Sequence, residues 1–183
     1  WWVETANEFG IKPWVGVFTH DYTDAEAAHL SSLVNDDLAT ASIHAFTWNY
    51  SFYYQRNTAP WPDDVMAAHY AEGTQWHQDH NIPISKYVVA HFSEIGINAL
   101  DGLMDWGIEF LGTMIDPGTT WGSPWIVGGP YRLYEPRQSS SSPIPFYYAD
   151  FVTVPDHPEF DGQFFNCVSE VRDVTGYEWY PSN

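Results

Sequence analysis

Lysine is almost missing from this sequence. Only Lys12 and Lys86 occur, and Lys and Arg together number 6 against 24 Asp and Glu, a formal net charge of −18. A surface of that sign repels phosphate backbones and anionic membranes, so nucleic-acid binding is excluded as a first reading. Cys167 is the lone cysteine, which excludes an intrachain disulfide and a cysteine zinc knot. No run of about 18 apolar residues is present, so no membrane span is expected. No basic stretch followed by an apolar one opens the chain, which begins at Trp1,. The opening "WWVETANEFG" reads as the middle of an amphipathic helix, so the expectation is that the natural chain starts upstream. The acid excess suits a salty medium, and an extracellular or periplasmic location is expected.

What the sequence does have is aromatic rings: 10 Trp, 12 Tyr and 11 Phe in 183 residues. Most of them are core material, and flat rings are also what sugar faces stack on. The length suits one domain over residues 1–183 with a substantial core.

The hydrophobic pattern alternates between helix and strand. Residues 2–9 carry apolar or small side chains at helical spacing, closed by Gly10. "KPWVGVFTH" reads as a strand, and Thr23 or Asp24 caps a helix over "AEAAHLSSLVNDD". "TASIHAFT" is the next strand, and "DDVMAAHYAEGTQWHQDHN" the next helix, followed by strand "ISKYVVAHF", helix "GINALDGLMDWG" and strand "IEFLGTMID". His77 and His80 have H-x-x-H spacing, and with no third ligand near them both read as surface residues. Residues 117–145 are rich in Gly, Pro and Ser, with "QSSSSP" read as a surface loop. A late strand is expected in "IPFYYADFVTV" and a short helical stretch near "FNCVSEVRDV". The succession is that of an α/β fold with parallel strands.

Polar residues recur where these strands end: His20 and Asp21, His44, His91, and Asp116. In parallel α/β barrels the loops after the strand C-termini form the active-site face. Imidazole and carboxylate suit zinc and related divalent ions, and a catalytic site wants about three protein ligands with a position left for water. His44, His91 and Asp21 supply such a set. Hydrolysis is the chemistry that follows, with the bound metal polarising a carbonyl while a nearby side chain moves the proton.

The same spacing resembles the polysaccharide deacetylase family, metal-dependent carbohydrate esterases on a distorted, usually seven-stranded (β/α) barrel, over residues 5–125. "FGIKPWVGVF", the "AEAAHLSSLVNDD" helix and "SIHAFTW" fall where that family has a strand, a helix and His-Ser/Thr-x-x-His. "VVAHFSEIG", "LDGLMDWGIEFL" and "DPGTTW" then follow in the order of its Arg-x-Pro-Tyr, helix and Asp-x-x-Asp-Trp segments. His44 matches the first histidine of the family's metal pair, and Trp48 stands where the second should be. His91 lies in the Arg-x-Pro-Tyr region without matching it. His157 is a candidate for the closing Leu-x-His role. In one register the family's Asp-Asp strand would precede Trp1, so the barrel would lack its N-terminal strand here. In a rival register "FTHDYTD" covers Thr-Phe-Asp-Asp and makes Asp21 the carboxylate ligand.

The resemblance implies removal of acetyl groups from a carbohydrate with a bound divalent metal, zinc first. His44 and His91 are then ligands, Asp21 ligand or base, and His20 or Asp116 a proton carrier or its orienter. Trp48, Tyr50, Tyr53, Glu94, Trp121 and Trp125 are the expected sugar contacts. A second reading is a carbohydrate-binding relative without catalysis. A third is a glycoside hydrolase using Glu94 and Asp116, since that chemistry needs two carboxylates flanking the scissile bond.

Overall fold

The structure is a computed structural model that describes residues 2–55, 59–115, 132–139, 142–148 and 157–171. Helix α1 (Trp2–Glu8) leads into β1 (Trp14–Phe18), α2 (Asp24–Asn35), β2 (Thr40–Ala45), α3 (Asp63–Asp79), β3 (Tyr87–Val89), α4 (Leu100–Asp105) and β4 (Phe110–Ile115). The order and type of these elements follow the hydrophobic pattern. Gly10 and Gly107, at φ +71° and +72°, take the left-handed conformation that closes a helix at no steric cost,. Helix α2 starts with a full capping box: Thr23 Oγ1 accepts from the Glu26 amide, and the Glu26 carboxylate accepts from the Thr23 amide at 2.9 Å,. Those bonds hold the Glu26 carboxyl below its ordinary pKa.

Among the described residues the strands form three sheets: β1–β2, both parallel; β3–β4–β7, all parallel, with β7 at Phe165–Val171; and an antiparallel hairpin of β5 (Arg132–Ser139) and β6 (Ser142–Tyr148). Strands β2 and β3 meet across an irregular seam. The Ser85 amide donates to Ala41 O at 2.7 Å, and Ser42 Oγ donates to Tyr87 O at 2.8 Å.

This corrects the expected seven-stranded (β/α) barrel. The described strands do not close on themselves, and a barrel requires an unbroken ring of strand pairing. The antiparallel hairpin also departs from a repeating β/α unit. Two local expectations change with it. "FNCVSEVRDV", expected to be helical, begins as strand β7, where Phe165 pairs with Phe110 and Cys167 with Gly112. Of "QSSSSP", expected to be a surface loop, Gln138 and Ser139 end β5 and Ser142 and Pro143 begin β6, Ser139 pairing with Ser142, and β5 lies within the segment expected to be loop.

Two hydrophobic clusters support the sheets. One gathers Ile43, Phe46, Phe52, Tyr53, Met66, Val88, Leu100, Leu103, Leu111, Phe160 and Phe164. The other gathers Val3, Val15, Val17, Leu30, Ala41 and Ile82 under α1 and α2. Helix α3 approaches β2 closely at Gly73, where an added Cβ would lie 2.6 Å from Ile43 Cδ1 and 2.9 Å from Trp106 Cη2. That approach places the α3 side chains beside the ends of β1 and β2.

Candidate functional site

The C-terminal edge of β1, β2 and β3 carries three of the polar residues expected there, His20, His44 and His91, in two clusters. In the first, His44 at the end of β2 meets His91 just after β3. His91 Nδ1 lies 2.9 Å from His44 Nε2, His44 Nδ1 lies 2.6 Å from Val89 O, and His91 Nε2 lies 2.9 Å from Trp48 O. Phe18, the last residue of β1, sets its ring edge against both imidazoles, with centroids 5.1 and 5.3 Å away. Behind His44, Trp14 Nε1 donates to Ser42 Oγ at 2.9 Å, and Gly16 leaves room for the His44 Cβ. Burial pushes the His44 imidazole down to about 4; the bond to Val89 O opposes the shift and the neighbouring His91 adds to it,.

The proton count of this cluster is informative. A carbonyl only accepts, so each end of the chain Val89 O, His44, His91, Trp48 O requires an N–H on the ring beside it. Two neutral imidazoles supply two protons, one for each carbonyl, and leave His44 Nε2 and His91 Nδ1 as facing lone pairs. One proton shared between those nitrogens would complete the arrangement as an N–H···N hydrogen bond at 2.9 Å,. Metal-ligating histidines ordinarily donate their other N–H to a backbone carbonyl or carboxylate, as both rings here are placed to do.

The wall of the cluster is aromatic and strained. Trp48, 57% exposed, sets its ring 5.0 Å from His91. Phe92 packs 3.8 Å from His91 and has φ +57°, a left-handed backbone that an aromatic residue rarely adopts,. Backbone strain of this kind is held in place by its surroundings and concentrates at functional sites.

The second cluster lies on the other side of the 46–53 loop. His20 Nε2 is 2.6 Å from Glu72 Oε1, and the His20 ring packs 4.7 Å from Phe46. Tyr50 stacks on Phe46 at 4.8 Å with planes 25° apart, and its hydroxyl is 3.2 Å from His69 Nε2. His69 Nδ1 donates to Phe52 O at 2.9 Å, which makes Nε2 the acceptor. Burial lowers the His69 pKa, with Glu72 and the Phe52 bond opposing and His20 adding to the shift.

The remaining expected residues divide clearly. Tyr53, expected to touch sugar, is a core residue, 1% exposed, whose hydroxyl donates to Ile43 O at 2.9 Å. Glu94 is buried, with its carboxylate near enough to Tyr54 to raise the phenol's pKa after burial has done so. Asp21 is exposed in the turn after β1, its amide donating to Phe18 O. Among the described residues no three His, Cys, Asp or Glu side chains converge as a metal-binding group. Asp116, Trp121 and Trp125 lie outside the described residues. His77, expected at the surface, is buried: its Nδ1 donates to Ile82 O at 2.9 Å across the C-terminus of α3. His157 pairs with Glu159 and lines a cavity of about 670 Å³ between α3, α4 and residues 157–160, separate from both clusters.

Glu72, His69 and Phe92 were not singled out from the sequence. His69 and Glu72 are three residues apart on α3, so they share a helical face, and that H-x-x-E spacing was the available signal. Phe92 offered none, because its backbone angle follows from the tertiary packing. No family model, curated protein or solved structure matches the chain, and no helix among the described residues is long and apolar enough to cross a membrane.

Proposed function

We propose that the chain acts on a carbohydrate, removing acetyl groups by hydrolysis at the His44–His91 pair with a divalent metal ion, zinc the first candidate. The observation that carries this reading is the pair itself. Two imidazole nitrogens face each other at 2.9 Å, and the outer nitrogen of each ring lies against a backbone carbonyl. Both rings are therefore oriented for neutral imidazoles that present lone pairs to one cation. Asp21 is our candidate for a carboxylate donor. A divalent ion held there supplies Lewis acidity toward an acetyl carbonyl and acidifies bound water.

The chain's own residues contribute the rest. The exposed Trp48 ring offers a face for a sugar beside the pair. His20, oriented by Glu72, moves the proton to the departing oxygen or nitrogen. Phe18 and Phe92 shield the imidazoles from bulk water.

A second reading, carbohydrate binding without catalysis, draws support from Trp48, which stands where a second metal-ligating histidine is expected four residues after His44. Metal analysis of the wild-type chain and of His44→Ala and His91→Ala, with acetate release from acetylated chito-oligosaccharides and acetylated xylan, separates the two. Stoichiometric metal lost in both variants together with acetate release supports the hydrolase. Wild-type protein without metal or acetate release, yet binding these sugars, leaves the binding reading.

A further inference from the structure

The second cluster has a property that the His44–His91 pair lacks. Two of its polar groups, the Tyr50 oxygen and the Glu72 carboxylate, are hydrogen-bond acceptors, set beside an aromatic ring that is exposed but immobile. Tyr50 is 39% exposed, yet every part of it is held. Its backbone pairs both ways with Thr47, the Tyr50 amide to Thr47 O at 3.2 Å and the Thr47 amide to Tyr50 O at 3.3 Å. One ring face stacks on Phe46, and Trp61 and His69 set their rings edge-on at 5.6 and 5.8 Å. The hydroxyl donates to His69 Nε2, because the His69 proton is committed to Phe52 O. The phenol oxygen is thereby left with lone pairs for a ligand and no proton of its own to give.

Glu72 extends the same character. Its Oε1 takes the His20 bond at 2.6 Å, and its side chain is half exposed at 53%. A carboxylate only accepts. Both lysines of the chain are committed to acidic partners at the opposite edge, Lys12 to Asp37 before β1 and Lys86 to Glu109 before β3. A ring already fixed in place loses little freedom when a ligand stacks on it, so this arrangement is preorganised for binding.

We propose that Tyr50 and Glu72, the latter fixed by His20, form a subsite for one sugar unit rich in hydrogen-bond donors, neutral or amine-bearing, and that it rejects carboxylated and sulfated saccharides. The sugar stacks on the open part of the Tyr50 ring, its hydroxyls or ammonium donate to Glu72 and the Tyr50 oxygen, and His69 is a positioning residue that fixes the tyrosine. The proposal rests on the carbohydrate reading above and is independent of hydrolysis at His44 and His91.

Calorimetric titration of the full 183-residue chain with the tetramers of glucosamine, N-acetylglucosamine, glucose and galacturonate tests it. Binding is expected for a neutral or amine-bearing tetramer and not for tetragalacturonate. Tyr50→Ala weakens it about tenfold, the scale of a stacking contact. Glu72→Gln weakens the glucosamine tetramer more than the neutral ones, and His69→Phe weakens all of them by loosening the tyrosine. Failure of all four tetramers to bind, equal binding of tetragalacturonate, or wild-type affinity in both Tyr50→Ala and Glu72→Gln overturns the subsite. Glu72→Gln changes an exposed side chain, so the test survives if Tyr50→Ala unfolds. Retained binding without acetate release refutes the hydrolase and leaves the subsite standing.

Discussion

His44, on β2, and His91, just after β3 and 47 residues further along the chain, present ring nitrogens to each other at 2.9 Å, each backed by a main-chain carbonyl. Two groups that hold one cation act as a unit, so their losses do not add. His44→Ala and His91→Ala should each abolish metal retention and acetate release, and the double variant should be no worse than either single one. A double-mutant cycle on acetate release measures this, and strict additivity would sink the shared-cation reading.

Trp48 contributes two separable things, a backbone carbonyl to His91 and an exposed ring beside it. Trp48→Ala removes the ring and keeps the carbonyl. Metal content should stay at the wild-type level, while KM for acetylated oligosaccharide rises several-fold. Loss of metal in this variant would show that the indole, and not the carbonyl, orients His91.

Phe92 gives a test of strain. At φ +57° a glycine is at ease and a β-branched residue is not,. Phe92→Val should be less stable than Phe92→Gly by about 1–2 kcal/mol, although valine has the greater apolar surface. Urea midpoints compare the two, and the reverse order would mean that packing and not backbone geometry dominates.

Helix α3 is held close to β2 by an absent side chain. Gly73→Ala gains about 1 kcal/mol of helix propensity and drives a methyl group into Ile43, Trp106 and Phe52,. Overpacking costs about 1–3 kcal/mol, so the variant should be destabilised on balance, and sugar binding at Glu72 should weaken as the helix moves outward. Thermal unfolding and calorimetry read the two effects.

His77 connects fold to pH. It is 3% exposed, burial lowers its pKa, and no partner for Nε2 is found among the described residues. Unfolded histidine titrates near about 6.5. Below that pH the unfolded chain takes up a proton that the folded chain resists, so stability is full above it and declines as pH falls. His44 and His69 shift in the same direction. His77→Asn keeps a donor for Ile82 O and should reduce the fall in urea midpoint between about pH 7.5 and pH 5. An unchanged slope would place the proton uptake on other groups.

The sequence made some of this legible and hid the rest for identifiable reasons. Periodicity and caps located α1 through β4, because Gly10, Thr23 and Gly107 act locally. The meeting of His44 and His91 followed from a general property of parallel strands, whose C-terminal ends lie side by side. The barrel did not follow, because closure depends on which strands pair, and pairing is nonlocal. Strand β7 read as helix, since "FNCVSEV" has neither clean alternation nor a turn signal, and its pairing with β4 decides the matter. Tyr53 shows the ambiguity of aromatics: it neighbours Phe52 and Tyr54 in a run of rings, and only the Ile43 carbonyl bond marks it as core.

The turn from Thr47 to Tyr50 joins the two clusters, since one of its residues anchors His91 and another is anchored by His69. Its length is therefore fixed from both sides, and a single inserted residue would break either the chemistry or the recognition. Asn49, exposed at the tip between the two rings, donates its backbone N–H to Thr47 Oγ1 at 3.2 Å. That position is where a designer seeking a new sugar preference has freedom: its side chain can be exchanged while both anchors keep their grip.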